Sequence, residues 1–170
     1  MIYFAYGSNM SLARLTQRAR GARRIACGLI EAHDLRFHKV SPDGSSKCDA
    51  FYTGEPDDCV HGCVFELSPH EELILDEVEG LGRGYEKKTV PVLCVDGAVI
   101  HAQTYYATLI DPALTPYDWY LNHVLVGARE LLLPDSYLAR IESVPSRIDP
   151  DRERSLRQWS VHNNSNANLA

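Results

Sequence analysis

A chain of 170 residues, 45% hydrophobic and 24% charged, is long enough to bury one sizeable core. It carries none of the biases of a disordered, collagenous or membrane protein. Its formal net charge of −6 argues against nucleic acid and anionic membrane surfaces as partners. The cysteines number five, an odd count, and the opening Met-Ile-Tyr-Phe-Ala has no basic n-region of a secretory signal. Reduced thiols in a cytoplasmic protein are the expectation, and no stretch approaches transmembrane length.

In chain order, Ile2–Tyr6 is short, apolar and aromatic-rich, and predicts a buried strand. Gly7 permits a tight turn, and Ser8 or Asn9 can cap a helix over Ser11–Arg20. A strand ending in Gly-Ser-Asn at a helix start aims backbone N–H groups at one point, the arrangement that binds a carboxylate or an oxyanion. Arg14, Arg18, Arg20, Arg23 and Arg24 follow, either as a solvated face or as an anion-attracting rim beside that loop. Residues 23–38 read as one long or two short strands, and Pro42-Asp43-Gly44-Ser45-Ser46 as a turn. Ala50–Gly54 and Val60–Leu67 are expected to pair around Glu55–Asp58. Cys59, His61 and Cys63 alternate onto one face of the second of these, too far spread for a tetrahedral ion and without a fourth ligand, so buried free thiols are expected.

Ser68-Pro69-His70-Glu71 reads as a capping box with Pro at the first helical position. Leu73, Ile74 and Val78 supply an apolar stripe, and Gly80 a left-handed stop. Asp96-Gly97 predicts a hairpin of Tyr85–Cys94 with Ala98–Ala107. A long helix over residues 116–133, another capped by Asp135 and a short one from Asp149-Pro150 complete the chain. The tail from Asn163 to Asn168 is too polar for a core and is expected to be disordered. Strands in hairpins with helices inserted and appended argue for an α+β fold, a small mixed β-barrel with helices packed around it. The expected division is one domain over residues 1–150 and a C-terminal extension over 151–170.

Tyr6-Gly7-Ser8-Asn9-Met10, Leu75-Asp76-Glu77-Val78-Glu79-Gly80 and Gly84-Tyr85, in this order, resemble the gamma-glutamylcyclotransferase family, including its AIG2-like members. The resemblance runs from Met1 to about Pro145 and implies the same barrel fold. It implies an enzyme, assigned to transferases or lyases, in which the α-amine of a γ-glutamyl group attacks its own side-chain carbonyl. The products are 5-oxoproline and the released amine. The resemblance places the catalytic carboxylate at Glu79. It puts substrate-binding roles on Tyr6, Gly7, Ser8 and Asn9 and on Tyr85, Tyr105 and Tyr120. The tyrosines wall a pocket or donate a hydroxyl, or serve as aromatic core. No metal or other cofactor is implied. A small γ-glutamyl compound is the expected partner, and the chain is expected as a monomer or homodimer.

Such a reaction needs a folded glutamyl chain, a base for the ammonium and stabilisation of the oxyanion. Partial burial and a like charge from Asp76, on the same helical face, are expected to raise the pKa of Glu79. Two departures from the family pattern stand out. Met10 replaces a Leu of similar volume. Asp49 is unexpected in Cys48-Asp49-Ala50-Phe51, where it narrows the pocket or favours a cationic leaving amine. The leaving group is a free amino acid, a polyamine-like amine, an isopeptide lysine or a γ-glutamyl-protected metabolite. A non-catalytic member binding a small carboxylate or a protein, and a glutathione-specific cyclotransferase, are the other readings.

Overall fold

A computed structural model describes residues 1–162, and the expected disorder of Asn163–Asn168 lies outside them. Five strands close into a barrel in the order β1-β5-β2-β6-β7, comprising β1 (Ile2–Ala5), β5 (Cys59–Glu66), β2 (Arg23–Glu31), β6 (Tyr85–Cys94) and β7 (Val99–Ala107). The β1–β7 pairing is parallel and the others antiparallel. The strands β3 (His33–Val40) and β4 (Ser46–Tyr52) form a separate two-stranded arm. The helices are α1 (Leu12–Thr16), α2 (Pro69–Glu79), α3 (Asp118–Glu130), α4 (Asp135–Glu142) and α5 (Arg152–Trp159). The expected α+β mixed barrel is therefore what the chain forms, and none of these helices is long and apolar enough to cross a membrane.

Burial on both faces explains the unbroken apolar run of β1. Phe4 and Tyr6 join Val60 and Val64 of β5 in a cluster that includes Trp119, Tyr120 and Val124 of α3. On the opposite face Tyr3, Ala5, Cys63 and Phe65 pack against Leu15 of α1 and Leu75 of α2. Full burial of a side chain such as Phe4 stabilises by about 1.5–3 kcal/mol.

Several elements differ from expectation. The strand pair predicted around Glu55–Asp58 does not form. The turn at 41–45, with Ser41 N–H donating to Ser45 O and Gly44 at φ 83°, instead folds β4 onto β3. That leaves β5 to pair with β1 and β2. The first helix is shorter than predicted. Ser8–Met10 is a 3-10 turn, and Ser11 precedes α1 without a side-chain cap. On α2 the capping box and left-handed Gly80 (φ 77°) are present as read. Its predicted apolar stripe, however, faces out: Leu73 and Val78 are exposed, and Leu75 is the buried residue. Asp135 is the first residue of α4 rather than its cap, and α5 is capped by Asp151. Asp149 is used differently: its buried carboxylate accepts from Trp119 Nε1 (2.8 Å) and from Arg154 Nε and Nη2 (2.7 and 2.6 Å), docking α5 onto α3.

Candidate active site

Two long-range contacts assemble the site. The 3-10 turn after β1 packs on α3 at Gly127, where an added Cβ would lie 2.5 Å from Ser11 N and 2.6 Å from Met10 Cβ. That close approach fixes Ser8 and Asn9 beside the end of α2. Asn9 Nδ2 then donates to Glu79 Oε1 (2.9 Å) and lies 3.1 Å from the Tyr3 hydroxyl. The loop and Glu79, seventy residues apart in sequence, are therefore in direct contact.

Arg18 Nη1 also donates to Glu79 Oε1 (2.7 Å) and bonds Asn9 Oδ1 (2.8 Å). Both bonds to the carboxylate fall on Oε1, so Oε2 has no hydrogen-bond partner among the described residues. The Glu79 side chain is 17% exposed. The like-charge arrangement expected of Asp76 is not what the structure shows. Asp76 is engaged by Lys87 Nζ (2.9 Å) and by the Tyr105 hydroxyl (2.7 Å), while the charge touching Glu79 is the opposite one of Arg18. Same-face placement on a helix gives proximity but not partners, and each carboxylate found its own cation.

A narrow recess of about 20 Å³ is lined by Tyr3, Tyr6, Gly7, Ser8, Asn9, Cys48, Glu79, Tyr85, Tyr105 and Tyr120. All eight residues singled out by sequence are in it. Tyr6 donates to Tyr105 O (2.7 Å), tying β1 to β7, and Tyr85 donates to Cys48 O. The Tyr120 hydroxyl accepts from Cys48 N–H (3.0 Å). Burial raises the pKa of Tyr3, Tyr6, Tyr85, Tyr105 and Tyr120, so these hydroxyls stay protonated. Burial likewise pushes the Cys48 thiol up to about 12. Gly7 is required for space rather than for its backbone angle (φ −114°), since an added Cβ would sit 3.1 Å from Cys48 Cβ and 3.5 Å from the Tyr120 hydroxyl.

Outside the recess lies a larger cavity of about 310 Å³, bordered by α1, the β3–β4 turn and the end of α2. Its lining includes Arg14, one of the arginines offered as an anion-attracting rim, together with Lys39 and Lys47, which sequence reading did not place at the site. The five-arginine cluster thus divides. Arg14 and Arg18 reach the cavity, whereas Arg20, Arg23 and Arg24 are exposed and Arg23 pairs with Glu66 (2.5 Å). Asp49 does not reach either space. Cys48 faces the recess, so the next residue of the strand faces away. The Asp49 carboxylate accepts from His38 Nε2 (2.9 Å) and Ala107 N–H (2.8 Å), which removes it from any contact with a leaving amine. Cys59 Sγ is 3.7 Å from His61 Nε2, while Cys63 Sγ is 3.3 Å from Cys27 Sγ. The described residues hold no group of three or more metal-ligating side chains.

Comparison with known proteins finds likenesses in sequence and in fold. Residues 59–141 match the model of the AIG2-like family. The Bos taurus gamma-glutamylcyclotransferase is 27% identical over 150 residues, covering 84% of this chain and 78% of that protein. The resemblance to the gamma-glutamylcyclotransferases holds. The Homo sapiens gamma-glutamylcyclotransferase is 28% identical over 147 residues, with the same coverage of 84% and 78%. A solved structure of a gamma-glutamyl cyclotransferase shares the fold, with a TM-score of 0.79 at 24% identity, covering 93% of this chain and 98% of that one. The gamma-glutamylcyclotransferase-like fold spans the arm and the helices as well as the barrel.

Proposed function

We propose that this chain is a gamma-glutamylcyclotransferase with Glu79 as its general base. The observation that carries the reading is the fixed carboxylate: Asn9 and Arg18 both bond Oε1 of Glu79, a residue that lines the recess, and Oε2 is left without a hydrogen-bond partner among the described residues. The names of the relatives, at about 27% identity, support the same reaction class. The first amides of the 3-10 turn, at Ser8 and Asn9, have no intrahelical acceptor ahead of them and suit a carboxylate or oxyanion of the substrate. The tyrosine walls hold the flexible glutamyl chain so that amine and γ-carbonyl meet.

In the proposed step Glu79 takes a proton from the substrate ammonium. The freed amine forms a bond to the γ-carbonyl carbon, and the tetrahedral centre collapses with cleavage of the original amide C–N bond. The proton held by Glu79 passes to the departing nitrogen, and the second proton that the attacking nitrogen sheds as the lactam forms follows the same route through Glu79, so 5-oxoproline leaves with the amine as its ammonium and with no net redox change. The test is 5-oxoproline release from a panel of γ-glutamyl amino acids and amines. Glu79→Gln, which keeps the shape but not the base, is expected to lower kcat at least roughly a hundred-fold. Equal turnover by the folded Glu79→Gln protein would overturn the role of Glu79. Absence of product from every wild-type reaction would overturn the activity.

A further inference from the structure

The cavity beyond the recess is lined by five cations against two acids. Three of the cations are paired: Arg18 with Glu79 (2.7 Å), Arg83 with Glu77 (3.5 Å) and Lys47 with Asp43 (2.8 Å). Two are not paired with any carboxylate among the described residues, and both are more than nine-tenths buried.

Arg14 is 6% exposed. Its Nη1 lies 3.1 Å from His123 Nε2 and donates to Gln158 Oε1 (2.7 Å), while its buried Nε has no partner. His123 is neutral beside it, since burial and the Arg14 guanidinium push its pKa down to about 2, and an imidazole carries no negative charge to offset the guanidinium. Lys39 is 5% exposed, and its Nζ sits 4.4 Å from the centroid of the Tyr85 ring. A bulge at His38 separates the Phe37–Cys48 and Lys39–Lys47 pairings and re-aims Lys39 to the cavity. Burial depresses the pKa of both groups. Desolvating a cation without a counter-ion is strongly unfavourable unless a ligand completes the pair.

We propose that Arg14 and Lys39 receive the carboxylates of the amine leaving group, so that the favoured substrates are γ-glutamyl conjugates of amino dicarboxylic acids. This rests on the cyclotransferase reading above. The charge count supports it. With the glutamyl end held against the loop amides and Glu79 at the recess, the two unpaired cations of the outer cavity match the two carboxylates of a departing glutamate or aspartate. A neutral amine leaves both unmatched, and a polyamine is repelled by both.

The deciding comparison is kcat/KM for 5-oxoproline release from γ-glutamyl-glutamate and from γ-glutamyl-glutamine, which differ by one carboxylate against an amide of the same shape. The wild type is expected to favour the acid roughly ten-fold at low salt, with the ratio shrinking as salt is raised. Lys39→Gln, its fold checked by circular dichroism, is expected to bring the ratio near unity. Equal kcat/KM for both conjugates in the wild type overturns the dicarboxylate preference and leaves the cyclotransferase standing. A preference that survives intact in folded Lys39→Gln overturns the assignment of Lys39. No product from either conjugate, with product from other members of the γ-glutamyl panel, overturns the dicarboxylate preference, and no product from any member overturns the cyclotransferase. Calorimetry with free glutamate against free glutamine then decides the anion site: preference for glutamate that Lys39→Gln abolishes supports it, and equal heats overturn it.

Discussion

Asn9 links the loop directly to Glu79, the proposed base, and its amide has two uses. Nδ2 orients Glu79, while Oδ1 accepts from Arg18. Asn9→Ala removes both, leaving Arg18 to hold the carboxylate alone. A hydrogen bond to a charged group is worth about 1.5–3 kcal/mol, so kcat for 5-oxoproline release is expected to fall roughly ten- to hundred-fold, with KM changed far less. A KM effect alone would show that Asn9 only binds. Asn9 and Glu79 were legible in the sequence because their motifs are short and contiguous. Lys39 was not, and Arg14 only as one of five arginines of an anion-attracting rim. Lys39 sits just after a bulge, where both His38 and Lys39 are buried and the period-two pattern is broken. Arg14 reads as one arginine of a charged helix, and its burial depends on α3 and α5 folding over it.

Among the elements, α3 decides where the loop sits. Gly127 has no positive φ to explain it; it is glycine because Met10 and Ser11 lie against it. Gly127→Ala raises intrinsic helix propensity by about 1 kcal/mol, yet it drives a Cβ into the backbone of the 3-10 turn. Net destabilisation of about 1–3 kcal/mol by urea unfolding is expected, with a loss of turnover out of proportion as Ser8 and Asn9 are pushed aside. Unchanged stability would mean that the turn yields without cost. Element types were largely readable, as the capping box of α2 and the Asp96-Gly97 hairpin show. Partner choice was not, because β4 satisfies the same local turn rules whether it folds back on β3 or forward on β5.

For the molecule as a whole, the acid limb of stability depends on clamps that join distant segments. Arg154, with Trp119 and the Asp151 amide, holds the buried Asp149 carboxyl down to about 2 despite burial. Burial alone would raise Asp43, but Lys47 and Ser45 carry it down to about 2 as well. A depressed folded pKa means stability that is fully present above the unfolded carboxylate range near 4 and lost as pH falls from about 4 towards 2. Asp149→Asn is expected to cost about 1–3 kcal/mol at neutral pH and to flatten the fall in stability between pH 4 and 2, leaving the part due to Asp43. An acid limb identical to wild type in urea melts would remove Asp149 from that role.

The barrel closes on facing glycines. Gly28 and Gly62 are register partners on β2 and β5. An added Cβ would lie 2.4 Å from Leu93 O at the first and 2.3 Å from Ala5 O at the second. Neither residue lines the recess or the outer cavity, whose walls come from strand ends, the β3–β4 turn and the helices. The parts that keep the sheet shut are thus separate from the parts that line the two cavities. Under the proposed function, descendants of such a chain exchange one amine for another by altering Arg14, Lys39 or the 41–47 turn, while the two glycines stay under a constraint that no change of substrate relaxes.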